Sequence, residues 1–302
     1  MVAADDSVQR HVPVLLKETI EGLRLQAGDN VVDCTVGAGG HAAAVLERTS
    51  PGGRLLGFDL DEAALEAARR HLERFGSRAM LVRENYRNAE RVLLSRDFGP
   101  VHAALLDLGF SSLAIDDPTR GFSFRFDGPL DMRFDDRDEL TAAAIVNGWS
   151  ADELAEIFVR YGEERYARRI AQAIVAARRR KHLVGTFELV EVIASAVPGD
   201  YRRGRLHFAT RTFQALRIAV NDELGNLKTA LEVFDRRLAP GGRLAVISFH
   251  SLEDRIAKQF FAEGERAGTW EILTKKPITP GPEEEAANPR ARSAKLRLAI
   301  KI

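Results

Sequence analysis

The chain has 302 residues, 45% hydrophobic and 29% charged, which is long enough to bury a sizeable core and to form two domains of a soluble globular protein. Lys plus Arg (44) balance Asp plus Glu (44), which excludes a uniformly basic nucleic-acid binder while leaving room for local patches. A single cysteine, Cys34, excludes an intramolecular disulfide and a cysteine-based metal site; it fits a reducing cytoplasm, and no metal is expected.

Residues 1–10 are polar and lack the apolar centre of a signal peptide, and no run approaches the length needed to cross a bilayer. The expectation is therefore a cytoplasmic protein with no membrane partner. Residues 1–9 read as a frayed tail, and 11–18 lead into a short amphipathic helix ending near Gly22. For His11 a packing role outweighs one at a ligand site.

The run Val31-Val32-Asp33-Cys34 is a buried-type strand that breaks into Gly37-Ala38-Gly39-Gly40-His41 and then the apolar helix start Ala42-Ala43-Ala44-Val45-Leu46. Gly37, Gly39 and Gly40 allow positive φ and let the backbone approach a ligand, while the helix offers free N–H groups to the same point. Gly37-x-Gly39-x-x-Ala42 satisfies the nucleotide-binding fingerprint in its G/A form, although a lone match also fits a structural turn. A second strand, 54–59, ends in Asp59, 22 residues after Gly37, where a carboxylate can accept from both ribose hydroxyls of a nucleoside.

Residues 61–75 read as a helix, with Leu65, Ala68 and Leu72 on one face and Gly76 as its stop. Strand 79–85 ends at Tyr86, whose ring suits a purine or the edge of a core equally well. After a helix over 87–96, Val101 to Asp107 is a near-continuous apolar strand, as expected of one buried on both faces of a parallel sheet. Four such units with ligand-type residues at their strand ends imply a doubly wound α/β sheet.

The next clear strand, 243–249, comes more than 130 residues later, against roughly 30 for an ordinary unit, so a helical segment has been inserted. Ser150-x-x-Glu153 starts one helix, 163–181 forms a second, and Thr186 caps a third that ends at Pro198. From about Phe208 the chain returns to the sheet through a long helical stretch, 214–238. Ser251-x-x-Asp254 caps a helix running to Phe261, 275–292 is an open loop, and 293–302 alternates as a terminal strand.

An adenosine site built on Asp59 fits a dinucleotide or S-adenosylmethionine. The end of strand four separates them: Asp107-Leu108-Gly109-Phe110-Ser111-Ser112 has the polar residue, tight turn and aromatic that would hold an amino nitrogen in line with a methyl donor. Asp107 is the candidate catalytic polariser, although capping of the following loop would also explain it. A nicotinamide-dependent oxidoreductase fits the glycine turn but not this loop; a non-catalytic RNA-binding module would leave the pocket idle. Cys34 raises covalent attack on a pyrimidine C6 as a competing mechanism, but a thiol inside a strand is inert.

His11-Val12-Pro13-Val14-Leu15, Asp33-x-Thr35-x-Gly37-x-Gly39-Gly40-His41, Leu106-Asp107-Leu108-Gly109-x-Ser111-Ser112, Arg120-Gly121-Phe122-Ser123-Phe124, Gly128-Pro129-Leu130-Asp131-Met132-Arg133, Tyr161-Gly162-Glu163-Glu164-Arg165, Ser248-Phe249-His250-Ser251-Leu252-Glu253-Asp254-Arg255 and Asn288-Pro289-Arg290-Ala291-Arg292-Ser293-Ala294-Lys295-Leu296-Arg297 together resemble the MraW (RsmH) family over nearly the whole chain. The resemblance implies a Rossmann-like class I methyltransferase with an inserted small helical domain, acting on N4 of a decoding-region cytidine of 16S ribosomal RNA. It implies S-adenosylmethionine contacts at Gly39, Gly40, His41, Asp59, Tyr86 and Asp107, beside Gly37 from the fingerprint. Where the family commonly has a glutamine after the paired serines, this chain has Ala114, so that side-chain contact is lost or supplied by another group, and a difference in cofactor affinity is expected.

The expected organisation is a cofactor-binding domain of 1–113 and 208–302 around an RNA-recognising insert of 114–207. Arg178, Arg179, Arg180, Arg202, Arg203 and Arg205 are candidate phosphate contacts, and Phe110 and Arg133 candidate contacts on the path of the target base, with Phe122 and Phe124 beside them. A basic helix end is also a common solvated terminus, and the phenylalanines fit a core as readily. His250 and Glu253 fit either the target base or a helix cap. The expected partner is 16S ribosomal RNA within the small subunit, with a homodimer left open.

Overall fold

The computed structural model describes residues 13–109, 115 and 117–302. Contacts divide the chain into two compact units: one takes it up to Gly109 and again over Leu227–Ile302, the other is the stretch between them. The sequence sets the return to the sheet at residue 208. Contacts set it at 227, because the helix Thr210–Asn221 turns Phe213, Ala215, Leu216 and Val220 into the core of the helical unit.

In the first unit, helix α1 (Leu16–Leu23) precedes β1 (Val31–Asp33), α2 (Gly40–Arg48), β2 (Leu55–Asp59), α3 (Glu62–Leu72), β3 (Ala79–Arg83), α4 (Ala89–Ser95) and β4 (Val101–Asp107). The described strands, with β5 (Leu238–Ser248), β6 (Trp270–Ile272) and β7 (Lys295–Lys301), form one sheet in the order β3-β2-β1-β4-β5-β7-β6. The pairs from β3 to β5 are parallel; β7 runs antiparallel to both β5 and β6. Strand order reverses between β1 and β4, the crevice where ligands bind in open α/β sheets.

Strand periodicity explains the two apolar layers. Val32, Leu56, Phe58, Ala104, Leu106 and Val246 face one way, onto Phe98, Phe234 and Trp270. Their neighbours Val31, Leu55, Ala103, Leu105, Ala245 and Ile247 face the other, onto Leu46 and Leu65. With both faces covered, β4 carries no polar alternation and reads as a near-continuous apolar run.

The second unit is helical: α5 (Ala142–Gly148), α6 (Ala151–Arg160), α7 (Ala167–Arg178), α8 (Thr186–Ala196), the single turn α9 (Gly199–Arg202) and α10 (Thr210–Asn221), around Ile145, Leu154, Phe158, Ile170, Ile174, Leu189 and Phe213. Ser150 and Glu153 form the expected capping box. Thr186 does not cap α8. Gly185 holds that position, and the Glu188 carboxylate accepts from the Val184 and Gly185 amides, while the Thr186 hydroxyl donates to the Phe126 carbonyl.

The long stretch 214–238 is two helices. Asp222, at φ 47°, breaks it between α10 and α11 (Glu223–Arg237). The helix after β5, α12 (Ser251–Ala267), is longer than expected, and the loop 275–292 contains the short helix α13 (Pro282–Ala287). Among the described residues no helix is long and apolar enough to cross a membrane.

Candidate cofactor site

Sheet register alone aligns the key carboxylates. Asp33, the last residue of β1, pairs with Gly57 on one side and Leu105 on the other. Two residues further along each chain lie Thr35, Asp59 and Asp107, one row of side chains across the switch point with one orientation. Hydrogen bonds lock the row. The Asp107 amide donates to Thr35 Oγ1 at 2.7 Å, and the Thr35 amide donates to Asp33 Oδ1 at 3.1 Å.

Asp59 accepts from the Gly37 amide at Oδ2 (2.9 Å) and from the Asp61 amide at Oδ1 (2.9 Å). Burial pushes its carboxyl up to about 6 against the pull of those two donors. Gly37 has φ 52°, and a Cβ added there meets nothing closer than the Thr35 carbonyl at 3.9 Å, so its face of the turn is open. Gly39 has φ 89° and packs on Ala68 and Leu72 of α3; a Cβ on Gly40 would lie 2.3 Å from Pro13. The glycines therefore divide the work: Gly37 leaves room, while Gly39 and Gly40 let helices and chain pack close enough to aim α2 at that room.

His41, in the first turn of α2, is buried, with Nε2 3.1 Å from the Val14 carbonyl. With Val14 as acceptor on Nε2, the ring turns Nδ1 toward Asp107 Oδ2, 3.6 Å away. The other oxygen, Asp107 Oδ1, is buried without a hydrogen-bond partner among the described residues. Burial first, then the neighbouring Asp33 and Glu253, raises the Asp107 carboxyl well above its ordinary value. Tyr86 opens the turn after β3 and packs part-buried against the sheet core.

These features fit an adenosine carrying a positively charged sulfur. The turn offers open backbone at Gly37, the row offers a carboxylate at Asp59, and Asp107 Oδ1 is a polar atom kept from water with nothing to bond. Among the expected contacts, Gly37, Gly39, Gly40, His41, Asp59 and Asp107 gather at this one edge. Sequence reasoning gave Thr35 and Asp33 no role; the D-x-T spacing, which lets the aspartate accept from the amide two residues on just as the strand ends, was the available signal.

His250 and Glu253 resolve as a cap. The His250 ring accepts from the Glu253 amide at 3.4 Å, and Glu253 Oε2 accepts from the Phe249 and His250 amides at 2.8 and 3.2 Å, so His250, not Ser251, caps α12. Cys34 is buried, and burial next to Asp33 raises its thiol well above the ordinary range, which leaves it unsuited to nucleophilic attack.

The basic residues of the helical unit differ among themselves. Arg178 is half-buried and donates to the Val146 carbonyl at 2.8 Å, whereas Arg179, Arg180, Arg202, Arg203 and Arg205 are exposed, Arg203 pairing with Asp200. Arg133 makes a fork onto Asp131 and donates to the carbonyls of Asp136 and Asp138, holding its own loop together. Phe122 lies against Phe134, and Phe124 packs between His207 and Phe213, both part of the helical core. Phe110, Ala114, Ser111, Ser112 and His11 lie outside the described residues.

Comparison with known proteins agrees with this geometry. A model described as the MraW methylase family matches residues 8–302. The ribosomal RNA small subunit methyltransferase H of Symbiobacterium thermophilum is 50% identical over 97% of this chain and 96% of its own. That of Heliobacterium modesticaldum is 49% identical over 98% and 99%, and that of Dehalococcoides mccartyi 47% identical over 97% and 86%. The match decides between the two cofactor classes that the glycine turn left open. The chain belongs to the MraW methylase family and is an S-adenosylmethionine-dependent methyltransferase.

Proposed function

We propose that this protein methylates N4 of a cytidine in the decoding region of 16S ribosomal RNA, acting in the cytoplasm on RNA of the small ribosomal subunit. The single observation that carries the site assignment is the buried, unbonded Asp107 Oδ1 at the end of the strand beside the glycine turn. The names of the relatives support ribosomal RNA of the small subunit as the substrate.

Bound S-adenosylmethionine supplies a methyl carbon activated by its positively charged sulfur. The chain's own residues hold and align. Asp59, fixed by the Gly37 and Asp61 amides, presents its carboxylate to the ribose hydroxyls. Gly37, Gly39 and Gly40 bring the free N–H groups of α2 to the carboxylate end of the ligand. Tyr86, in the turn after β3, would cover the base.

A cytosine amino group has its lone pair delocalised into the ring, so alignment matters more than a strong base. Asp107 Oδ1 is the acceptor that would fix one N–H of the incoming amine, and His41 keeps the carboxyl turned toward it. Exposed Arg179, Arg180, Arg202, Arg203 and Arg205, with Arg178 behind them, are suited to neutralise phosphates; the helical unit is the proposed RNA-recognition element.

The test is mass spectrometry of 16S ribosomal RNA after incubation of small subunits, and separately of naked RNA, with the protein and a labelled methyl donor. Label on N4 of a decoding-region cytidine supports the proposal. Label on C5, on a ribose or on no RNA overturns it.

A further inference from the structure

The end of β1 holds a group that the methyl-transfer reading does not use. Asp33 is 1% exposed; its Oδ1 accepts from the Thr35 amide, but its Oδ2 is buried with no hydrogen-bond partner among the described residues. Asp107 likewise has a buried oxygen, Oδ1, with no hydrogen-bond partner among the described residues, and its amide donates to the Thr35 hydroxyl. Thr35 thus ties the Asp33 carboxyl to the Asp107 backbone: its amide donates to Asp33 Oδ1 and its hydroxyl oxygen accepts from the Asp107 amide.

The groups that face this pair come from four elements. Asp59 of β2 and the Cys34 thiol act on or are acted on by Asp33; Asp33 itself and Glu253 of α12 act on Asp107. His41 of α2 stands 3.6 Å from Asp107 with its far nitrogen held by Val14, and Glu253 has the His250 ring 3.3 Å away. Coulombic influence on the pair is thus mainly repulsion between carboxylates. Two ionised acids in such a place are costly, so in the ligand-free pocket the pair retains a proton. Burial, with repulsion from Asp59, pushes Asp33 up to about 7, and Asp107 lies well above its ordinary value.

A positive charge in the pocket reverses that balance. S-adenosylmethionine carries one on sulfur; the product, S-adenosylhomocysteine, is a neutral thioether of nearly the same shape. We propose that Asp33 and Asp107, joined through Thr35, are a proton-holding pair that releases one proton to solvent when the sulfonium substrate binds and regains one after methyl transfer. The pocket then discriminates substrate from product by charge. In the transfer the carbon–sulfur bond breaks with its electron pair left on sulfur, a carbon–nitrogen bond forms, and the proton that the nitrogen gives up is the one the carboxyl pair takes back. Asp33 is a positioning residue in this scheme, acting through Asp107, and the inference depends on the cofactor assignment above.

Calorimetric titration of the full chain with each ligand, in buffers of different ionisation enthalpy between about pH 6 and 8, counts the protons exchanged. Up to one proton is expected to leave with S-adenosylmethionine and none with S-adenosylhomocysteine. The affinity ratio should then shift toward S-adenosylmethionine as pH rises, by at most about tenfold per pH unit. Asp33→Asn should flatten that rise while both ligands still bind; the wild-type count stands whether or not the variant folds. Equal proton counts for the two ligands, or a wild-type ratio that ignores pH, overturns the proposal. Failure of the wild type to bind either ligand overturns the cofactor assignment and the proposal with it.

Discussion

The Gly37 amide donates to Asp59 Oδ2 across 2.9 Å, so the glycine turn and the second strand are one hydrogen-bonded unit before any ligand arrives. With the Asp61 amide on the other oxygen, the carboxylate is held in place. Asp59→Ala removes both the proposed ligand contact and the turn's anchor. We expect affinity for S-adenosylmethionine to fall by about 10–100-fold in calorimetry, from the loss of charge-assisted bonds worth about 1.5–3 kcal/mol each. Asp59→Asn, which keeps one carbonyl acceptor, should lie between.

The turn glycines should separate folding from binding. Gly40→Ala puts a methyl group 2.3 Å from the Pro13 ring, and the expected result is a loss of stability of about 1–3 kcal/mol in urea denaturation. Gly37→Ala meets no close atom and bears only the cost of a positive φ, about 1–2 kcal/mol. Its larger effect should be on cofactor affinity, since the new methyl group stands in the open face of the turn.

The stability of the ligand-free protein should carry a signature of Asp33. Its folded-state value of about 7 exceeds the ordinary 3.8, so the native state binds more protons than the unfolded chain between those values. The Asp33 contribution is therefore fully present below about pH 4 and is lost as pH climbs through about 7. Asp33→Asn removes it, and the difference in urea midpoint between variant and wild type should move in the variant's favour from about pH 5 to pH 8. A difference that stays constant would contradict the assignment.

In the helical unit, Arg217 and Glu223 form a paired fork of 2.8 and 2.9 Å with side chains 14% and 7% exposed. Removing one partner leaves a charge without compensation where water scarcely reaches. Arg217→Met should cost about 3–5 kcal/mol in denaturant unfolding, and Arg217→Met with Glu223→Leu should recover most of it.

For the proposed RNA-binding arginines the expected signature is salt dependence. Arg179→Ala and Arg180→Ala together should weaken RNA binding across all sequences. The slope of log affinity against log salt should drop by about 0.7 for each phosphate that the protein no longer neutralises. Cofactor affinity, read by calorimetry, should not change. Arg133→Ala should instead loosen the 131–138 loop, whose backbone it ties, and show up first as reduced stability.

Much of this was readable in the sequence because the relevant signals are periodic or positional. The apolar runs of β2 and β4 and the glycine turn after β1 announce a parallel sheet with its ligand edge, and Asp59 and Asp107 fall at strand ends by simple counting. What the sequence hid was local competition. Ser251 looks like a helix cap, but His250 takes the extended backbone, at φ −141°, and the capping role. Asp222 ends α10 in a left-handed turn that an aspartate tolerates, so the apolar period ran on through it. The three residues of β6 are too few to alternate visibly. Asp33 escaped notice because a carboxylate's burial depends on what four neighbouring elements leave open.

The order of the strands also dictates a schedule for synthesis. β4 sits in the middle of the finished sheet, yet its partner β5 is translated only after the whole helical insert, and β7, which links β5 to the edge strand β6, is the last of the described strands to be made. A nascent polypeptide therefore emerges with an unpaired hydrophobic edge that must wait, through more than a hundred codons, for the strand that will cover it. Premature stops downstream of the insert should yield insoluble fragments rather than a smaller working enzyme.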